Sequence, residues 1–283
     1  MNALEISKLI KCYEGFTLEI PRLTLPEGCV MGLIGENGAG KSTTLRLILN
    51  AIGRDAGTIN VLGHDNAEPD FNMVKQQLGV VLDEAHFPDV LNARQVSRIM
   101  SCTYADWHEA QFDELLRRFD IPMNKQFKEF SRGMRMKLAI AVALAHDAKL
   151  LLLDEPTGGL DPIVRDEILE LFYEFTRDPM HSILISSHIV SDLEKLCDMI
   201  AFLHRGKLVF CETMDELEDK YALVKCGTAD FARIDPAAVV GQRRSQYGVE
   251  ALVLRGSMPD GFVLERAGVE DIMLYTAKGE SVQ

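Results

Sequence analysis

Apolar residues recur along this chain with three spacings, and each predicts a different kind of element. Ala3 to Leu9 alternates apolar and polar positions at period two, and Gly15 to Ile20 repeats the alternation. The N-terminus is therefore expected to form a small antiparallel β layer, with Tyr13 in the turn. Short continuous apolar runs at Val30–Ile34, Leu78–Leu82, Lys149–Leu153 and Ser182–Ser186 predict buried strands, and Thr58–Leu62 adds a short one. From about Asn92 to His146 the spacing becomes helical. Phe112, Leu115, Leu116 and Phe119 fall at i, i+3, i+4 and i+7, and Asp106 with Glu109 reads as the capping signature of that helix. Ser131 is placed to cap an alanine-rich helix through Met136–Leu144. Ile168, Leu169, Leu171, Phe172 and Phe175 predict another helix, and Asp192, Leu193, Leu196 and Cys197 a further one. A hairpin of Met199–Leu203 and Lys207–Cys211 should turn at Arg205-Gly206.

Beyond Thr213 the composition shifts. Met214–Lys220 reads as a charged helix or linker, Tyr221–Cys226 and Glu250–Leu254 as strands, and Val269–Ala277 as a short helix. The expected fold class is α/β: a mixed sheet, an N-terminal antiparallel β layer, an inserted helical subdomain at about 84–146 and a small C-terminal α/β appendix. The main domain is expected to span 1–215 and the appendix 216–283.

Composition narrows the classes open to such a chain. With 283 residues and 47% hydrophobic content it can bury a real core. A net charge of −13 argues against an extended nucleic-acid-binding face, although Arg132, Arg135 and Lys137 could form a local basic patch. The six cysteines are scattered, without a C-x-x-C pair, as in a reducing compartment. No apolar run reaches the ~18 residues of a membrane span and the N-terminus lacks a signal-peptide pattern. The chain is expected to be soluble and intracellular, reaching a membrane only through a partner.

The chemistry starts at Gly35–Thr43, Gly-Glu-Asn-Gly-Ala-Gly-Lys-Ser-Thr, between a predicted strand and a predicted helix. In that context the pattern G-x-x-x-x-G-K-[ST] predicts a phosphate site. Gly35, Gly38 and Gly40 let backbone N–H groups turn inward at an anion, alongside Asn37 and Ala39, and the helix N-terminus adds its dipole. Lys41 would reach the β- and γ-phosphates, and Ser42, followed by Thr43, would hold a magnesium ion. Asp154 and Glu155 end a buried strand, at the edge where open α/β sheets place ligands. The next strand delivers His188 to the same edge. Tyr13 reads either as a half-buried strand-edge residue or as a platform for a nucleotide base. Ser131, Arg132 and Gly133 read either as an ordinary helix start or as a second anion site.

These features resemble, over roughly residues 1–215, the nucleotide-binding subunit of ABC (ATP-binding cassette) transporters, a P-loop NTPase family. The resemblance implies ATP and Mg2+ as cofactors. It makes Tyr13 an adenine-stacking aromatic, Gly35–Ser42 the Walker A loop, Asp154 a magnesium ligand, Glu155 the general base, Asp161 part of the D-loop and His188 the γ-phosphate switch. Ser131-Arg132-Gly133 would occupy the signature position, in a Phe-Ser-Arg-Gly-Met context where the family has Leu-Ser-Gly-Gly-Gln, and would reach ATP held by an opposite subunit. Asp83 stands where a glutamine normally ligates magnesium and senses the permease. Phe87, Pro88, Val90 and Leu91 then become candidates for permease docking.

The resemblance thus implies a magnesium-dependent ATPase that dimerises head to tail around two ATPs. It would power a separate permease from the inner face of the cell membrane. The variant residues are similar to those of ATPase subunits of bacterial drug, antimicrobial-peptide and cell-envelope exporters. Two alternatives remain: a soluble ABC-type ATPase with a non-membrane partner, and an ATP-binding sensor with little turnover. A GTPase is disfavoured because Asn124-Lys125-Gln126-Phe127 lacks the aspartate of a guanine-reading N-K-x-D motif.

Overall fold

Ten strands form one sheet in the computed structural model, which describes residues 1–82, 87–246 and 248–279. In chain order the strands are β1 (Asn2–Tyr13), β2 (Phe16–Pro26), β3 (Val30–Ile34), β4 (Ala56–Val61), β5 (His64–Asp65), β6 (Leu78–Val81), β7 (Leu150–Asp154), β8 (Ser182–Ser186), β9 (Met199–His204) and β10 (Lys207–Thr213). Their order across the sheet is β5-β4-β1-β2-β10-β9-β3-β8-β7-β6. The β1–β2 and β1–β4 pairs are antiparallel, whereas β9, β3, β8, β7 and β6 run parallel. Every residue of β3, β7 and β8 is buried. That explains their apolar centres, such as Leu150–Leu153 in β7 and Ile183–Ile185 in β8, since parallel strands are covered on both faces.

The helices of this part are α1 (Lys41–Ile48), α2 (Phe71–Val74), α3 (Ala93–Thr103), α4 (Glu109–Arg118), α5 (Arg132–Leu144), α6 (Pro162–Phe175) and α7 (Val190–Leu196). From Ala93 to Leu144 the chain forms α3, α4 and α5, helical as its spacing predicts. One cap differs from expectation. Asp106 does not cap α4: the N-cap is His108, which makes no side-chain cap bond. His108 is instead held by its backbone N–H on Ala145 O at 2.8 Å and by Nε2 at 2.8 Å from Asp147. The local capping pattern loses to tertiary anchoring of the preceding residues, where Trp107 bridges to His146. A reciprocal capping box does occur at α3, between Asn92 and Gln95.

The chain divides into two compact units, Met1–Phe210 and Cys211–Gln283. The second contains α8 (Met214–Lys220), β11 (Tyr221–Cys226), α9 (Thr228–Phe231), β12 (Val239–Ser245), β13 (Gly248–Leu254), β14 (Leu264–Arg266) and α10 (Val269–Gly279). Its strands form a separate antiparallel sheet in the order β12-β13-β11-β14, over a core that includes Ala222, Val224, Ile234, Ala251 and Val253.

One buried ionisable group ties α5 to the sheet. His146 Nδ1 lies 3.2 Å from Val142 O, and its Nε2 lies 3.1 Å from Leu78 O in β6. Burial holds its imidazole below the ordinary histidine range, against the opposing pull of those carbonyls. The unfolded chain therefore takes up a proton, as pH falls through about 6.5, that the folded chain refuses. Stability contributed by neutral His146 is present above that value and lost below it. The unfolding midpoint is expected to fall between about pH 7.5 and 5.5, and His146→Asn to flatten that slope in thermal scans. An equally steep slope in the variant would assign the effect to other groups.

Candidate functional site

The phosphate loop is shaped by what surrounds it. A Cβ on Gly35 would lie 2.3 Å from Leu203 O, and Gly40 has φ +110° with Leu18 Cδ1 2.7 Å from where its Cβ would be. Neither position accepts a side chain, so the loop stays close to the sheet. The β9–β10 hairpin supports it from beneath, with the Gly206 N–H donating to Ala39 O at 3.2 Å. Glu36 Oε1 lies 3.3 Å from Nδ1 of the buried His204 at the end of β9. The helix α1 begins at Lys41 with Gly40 as its N-cap and no side-chain cap, which leaves its first N–H groups to a ligand.

Lys41 is only 7% exposed. Its Nζ donates to Gly35 O at 2.8 Å and to Glu36 O at 3.4 Å, and lies 3.7 Å from Glu155 Oε1. Glu155 is the other focus. It sits in the left-handed region at φ +50°, an uncommon conformation for a residue with a side chain. Its N–H donates to Ser186 O at 3.0 Å, and its Oε2 accepts from the His188 N–H at 3.2 Å. His188 Nδ1 is 2.5 Å from the same oxygen. One carboxylate thus joins the lysine of the phosphate loop to the histidine beyond β8.

Asp154, 2% exposed at the end of β7, accepts a hydrogen bond from the Ser186 hydroxyl. Parallel pairing places Asp154 directly opposite Ser186. A cavity of about 390 Å³ opens above these groups, lined by Tyr13, Phe16, Gly38, Lys41, Ser42 and Asp154 among others. The remaining lining residues include Asn37, Gly40, Thr43 and Glu155. Tyr13, at the end of β1, is 46% exposed with its ring 6.4 Å from that of Phe16, so the mouth of the cavity carries an aromatic pair.

The donor set suits a hard cation. Asp154 and Ser42 both line the cavity with oxygen-bearing side chains, and no group of three or more His, Cys, Asp or Glu forms a metal cage among the described residues. Magnesium fits such a site because it binds through one or two protein oxygens together with phosphates and water. Asp83 lies outside the described residues.

The remaining predicted residues lie elsewhere. Ser131 caps α5, accepting from the Met134 N–H at 3.2 Å. The Arg132 guanidinium packs against Gly159, whose Cβ would lie 2.6 Å from it. None of Ser131, Arg132 and Gly133 lines the cavity. Asp161 caps α6, accepting from the Ile163 and Val164 N–H groups at 3.2 and 3.1 Å. Phe87 packs edge-on against Phe127 with ring centres 5.6 Å apart, while Val90 stays 65% exposed, so the predicted docking residues divide between packing and surface. Sequence reasoning missed Ser186 and Phe16. The legible signal for Ser186 was a serine closing the apolar stretch Ile183–Ile185 at the sheet edge that already carried Asp154.

A glycine loop between a buried strand and α1, sharing a cavity with two carboxylates at the end of parallel strand β7, defines a P-loop nucleotide-binding cassette. The ABC transporter family profile matches residues 18–158. The chain is 33% identical over 223 residues to the ABC transporter ATP-binding protein YtrB of Bacillus subtilis (strain 168), covering 78% of this chain and 76% of that protein. It is 34% identical over 219 residues to the lantibiotic transport ATP-binding protein SrtF of Streptococcus pyogenes, covering 76% and 93%. A solved ATP-binding subunit of an ABC transporter superposes with a TM-score of 0.68 at 29% identity, covering 76% of this chain and 92% of that one. This chain therefore belongs to the ATP-binding protein family of ABC transporters, and it is an ABC-type ATPase.

Proposed function

We propose that this chain hydrolyses Mg-ATP at an interface between two cassettes and thereby drives a separate membrane permease, in the direction of export. The observation that carries the reading is the pairing of Glu155 with both Lys41 and His188 at the cavity wall. A γ-phosphate entering the loop would compete with Glu155 for Lys41, leaving the carboxylate free to accept a proton from water. His188, held on the other oxygen, would orient it. Bound magnesium would supply charge neutralisation along the triphosphate, with Ser42 and Asp154 on its protein side and Asp83 as a further ligand. Tyr13 would stack on the adenine.

On this reading the cassette comprises 1–215 and residues 216–283 are an appended unit. Ser131–Gly133 would complete the site of an opposite cassette. The placement of these residues outside their own cavity favours this arrangement, because groups that do not reach their own chain's cavity can act on a nucleotide only across an interface. The D-loop residue Asp161 would meet the same interface. Among the described residues no helix is long and apolar enough to cross a membrane, so coupling to transport requires permease subunits, with Val90 and Leu91 as the apolar docking residues. Export of an antimicrobial peptide or drug is favoured by the likeness to a lantibiotic transport protein.

Purified chain, alone and reconstituted with permease subunits, is expected to hydrolyse ATP only with magnesium present. It should shift from monomer to dimer on gel filtration when ATP is added. Binding of ATP without turnover in the presence of the permease would favour the sensor reading and defeat this one.

A further inference from the structure

The carboxylate of Asp192 lies in the first turn of α7 and is 3% exposed. Its Oδ2 accepts a hydrogen bond from Thr157 Oγ1 at 2.9 Å, and Thr157 is fully buried. The same oxygen lies 3.7 Å from Arg165 Nε, a buried donor with no hydrogen-bond partner among the described residues. Thr157 stands two residues after Glu155, and Arg165 stands in the first turn of α6. One oxygen therefore joins both flanks of the Gly158–Asp161 turn. The helix that presents it begins two residues after His188.

An acidic residue in the first turn of a helix ordinarily serves its own N-terminus. This one is turned outward from its helix, to a hydroxyl and a guanidinium on two other segments. A buried carboxylate is costly unless each of its partners stays in place, so it resists separation of the elements it joins. Glu155, which lines the cavity, is joined to His188, and Thr157 and Asp192 form a second, internal tie between the same two segments.

The geometry points to Asp192 as a positioning residue that fixes the His188 segment against the Glu155 turn, and through Arg165 links both to the start of α6. This rests on the roles proposed above for Glu155 and His188. Asp192 touches no nucleotide; it acts by keeping His188 at hydrogen-bond distance from Glu155 through the cycle.

Full-length protein carrying Thr157→Val, Thr157→Ser or Asp192→Asn tests this, with kcat, ATP affinity and melting temperature measured separately. Thr157→Val keeps the shape and removes the hydroxyl. It is expected to lower kcat at least about tenfold while ATP affinity stays within about threefold, because the phosphate loop is untouched. Thr157→Ser, which restores the hydroxyl, should return kcat to within about twofold of wild type. Asp192→Asn, whose amide oxygen can still accept from Thr157 but carries no charge toward Arg165, should lower kcat less than Thr157→Val does, and the valine–serine pair carries the test if the asparagine variant does not fold. Unchanged kcat in Thr157→Val overturns the proposal. So does a fall in kcat matched by ATP affinity and melting temperature, which would mark a merely structural contact. Glu155→Gln measured alongside separates the two readings. If it turns over like wild type, the roles of Glu155 and His188 fail. If it is inactive while Thr157→Val keeps full turnover, only the positioning role fails.

Discussion

Glu155→Gln is expected to lower ATP turnover by about 1,000-fold, within the range for removal of a general base, while ATP still binds. The amide keeps the size of the carboxylate, so the turn at φ +50° and the contacts to Ser186 should persist. It cannot accept a proton from water, and it removes the negative charge 3.7 Å from Lys41. Losing that competitor should strengthen the hold of Lys41 on a γ-phosphate. The variant should therefore accumulate as an ATP-bound dimer, seen by gel filtration with magnesium and ATP. Turnover within about tenfold of wild type would place the base elsewhere.

The second large effect concerns the shared site. Lys41→Ala removes the one cation buried in the phosphate loop, and a loss of about 100-fold or more in turnover is expected, as for removal of a preorganised electrostatic contact. Ser131→Arg fills the start of α5 and should abolish turnover without weakening ATP binding to the same chain, because Ser131 does not line that chain's cavity. Mixing the two inactive proteins should restore activity if two identical chains pair head to tail. One site of each mixed dimer then has an intact Lys41 and an intact partner Ser131. With random pairing of equal amounts, about a quarter of wild-type activity is expected. No recovery on mixing, with mixed dimers demonstrated by a tag, would exclude an interface in which Ser131 of one chain serves Lys41 of the other.

The parts of the site that lie close together in sequence were legible there. The loop Gly35–Thr43 carries its own flanking strand and helix, and the Ser131 cap reaches a backbone N–H three residues on. Such features depend on local backbone geometry alone. Asp106 shows the limit of that logic, since a capping pattern of similar form was displaced by Trp107 and His108 anchoring elsewhere. In the second unit, β12 has no legible period because its apolar residues cluster at Val239 and Val240 and the rest is Gly, Gln, Arg and Ser. β14, only three residues long, offers too short a run for any period to appear.

By itself the sequence determined that a phosphate loop precedes two carboxylates and a histidine, and that a helical insert separates the loop from them. It also determined that the strands bearing them are buried, because unbroken apolar runs tolerate no solvent face. Only the tertiary structure decided which groups meet. Register between β7 and β8 sets Asp154 beside Ser186, and the turn at Glu155 brings its carboxylate to both Lys41 and His188. The tie from Asp192 to Thr157 spans 35 positions and leaves no local trace. Contacts of that kind depend on how distant segments pack, and chain spacing carries no record of a partner so far away.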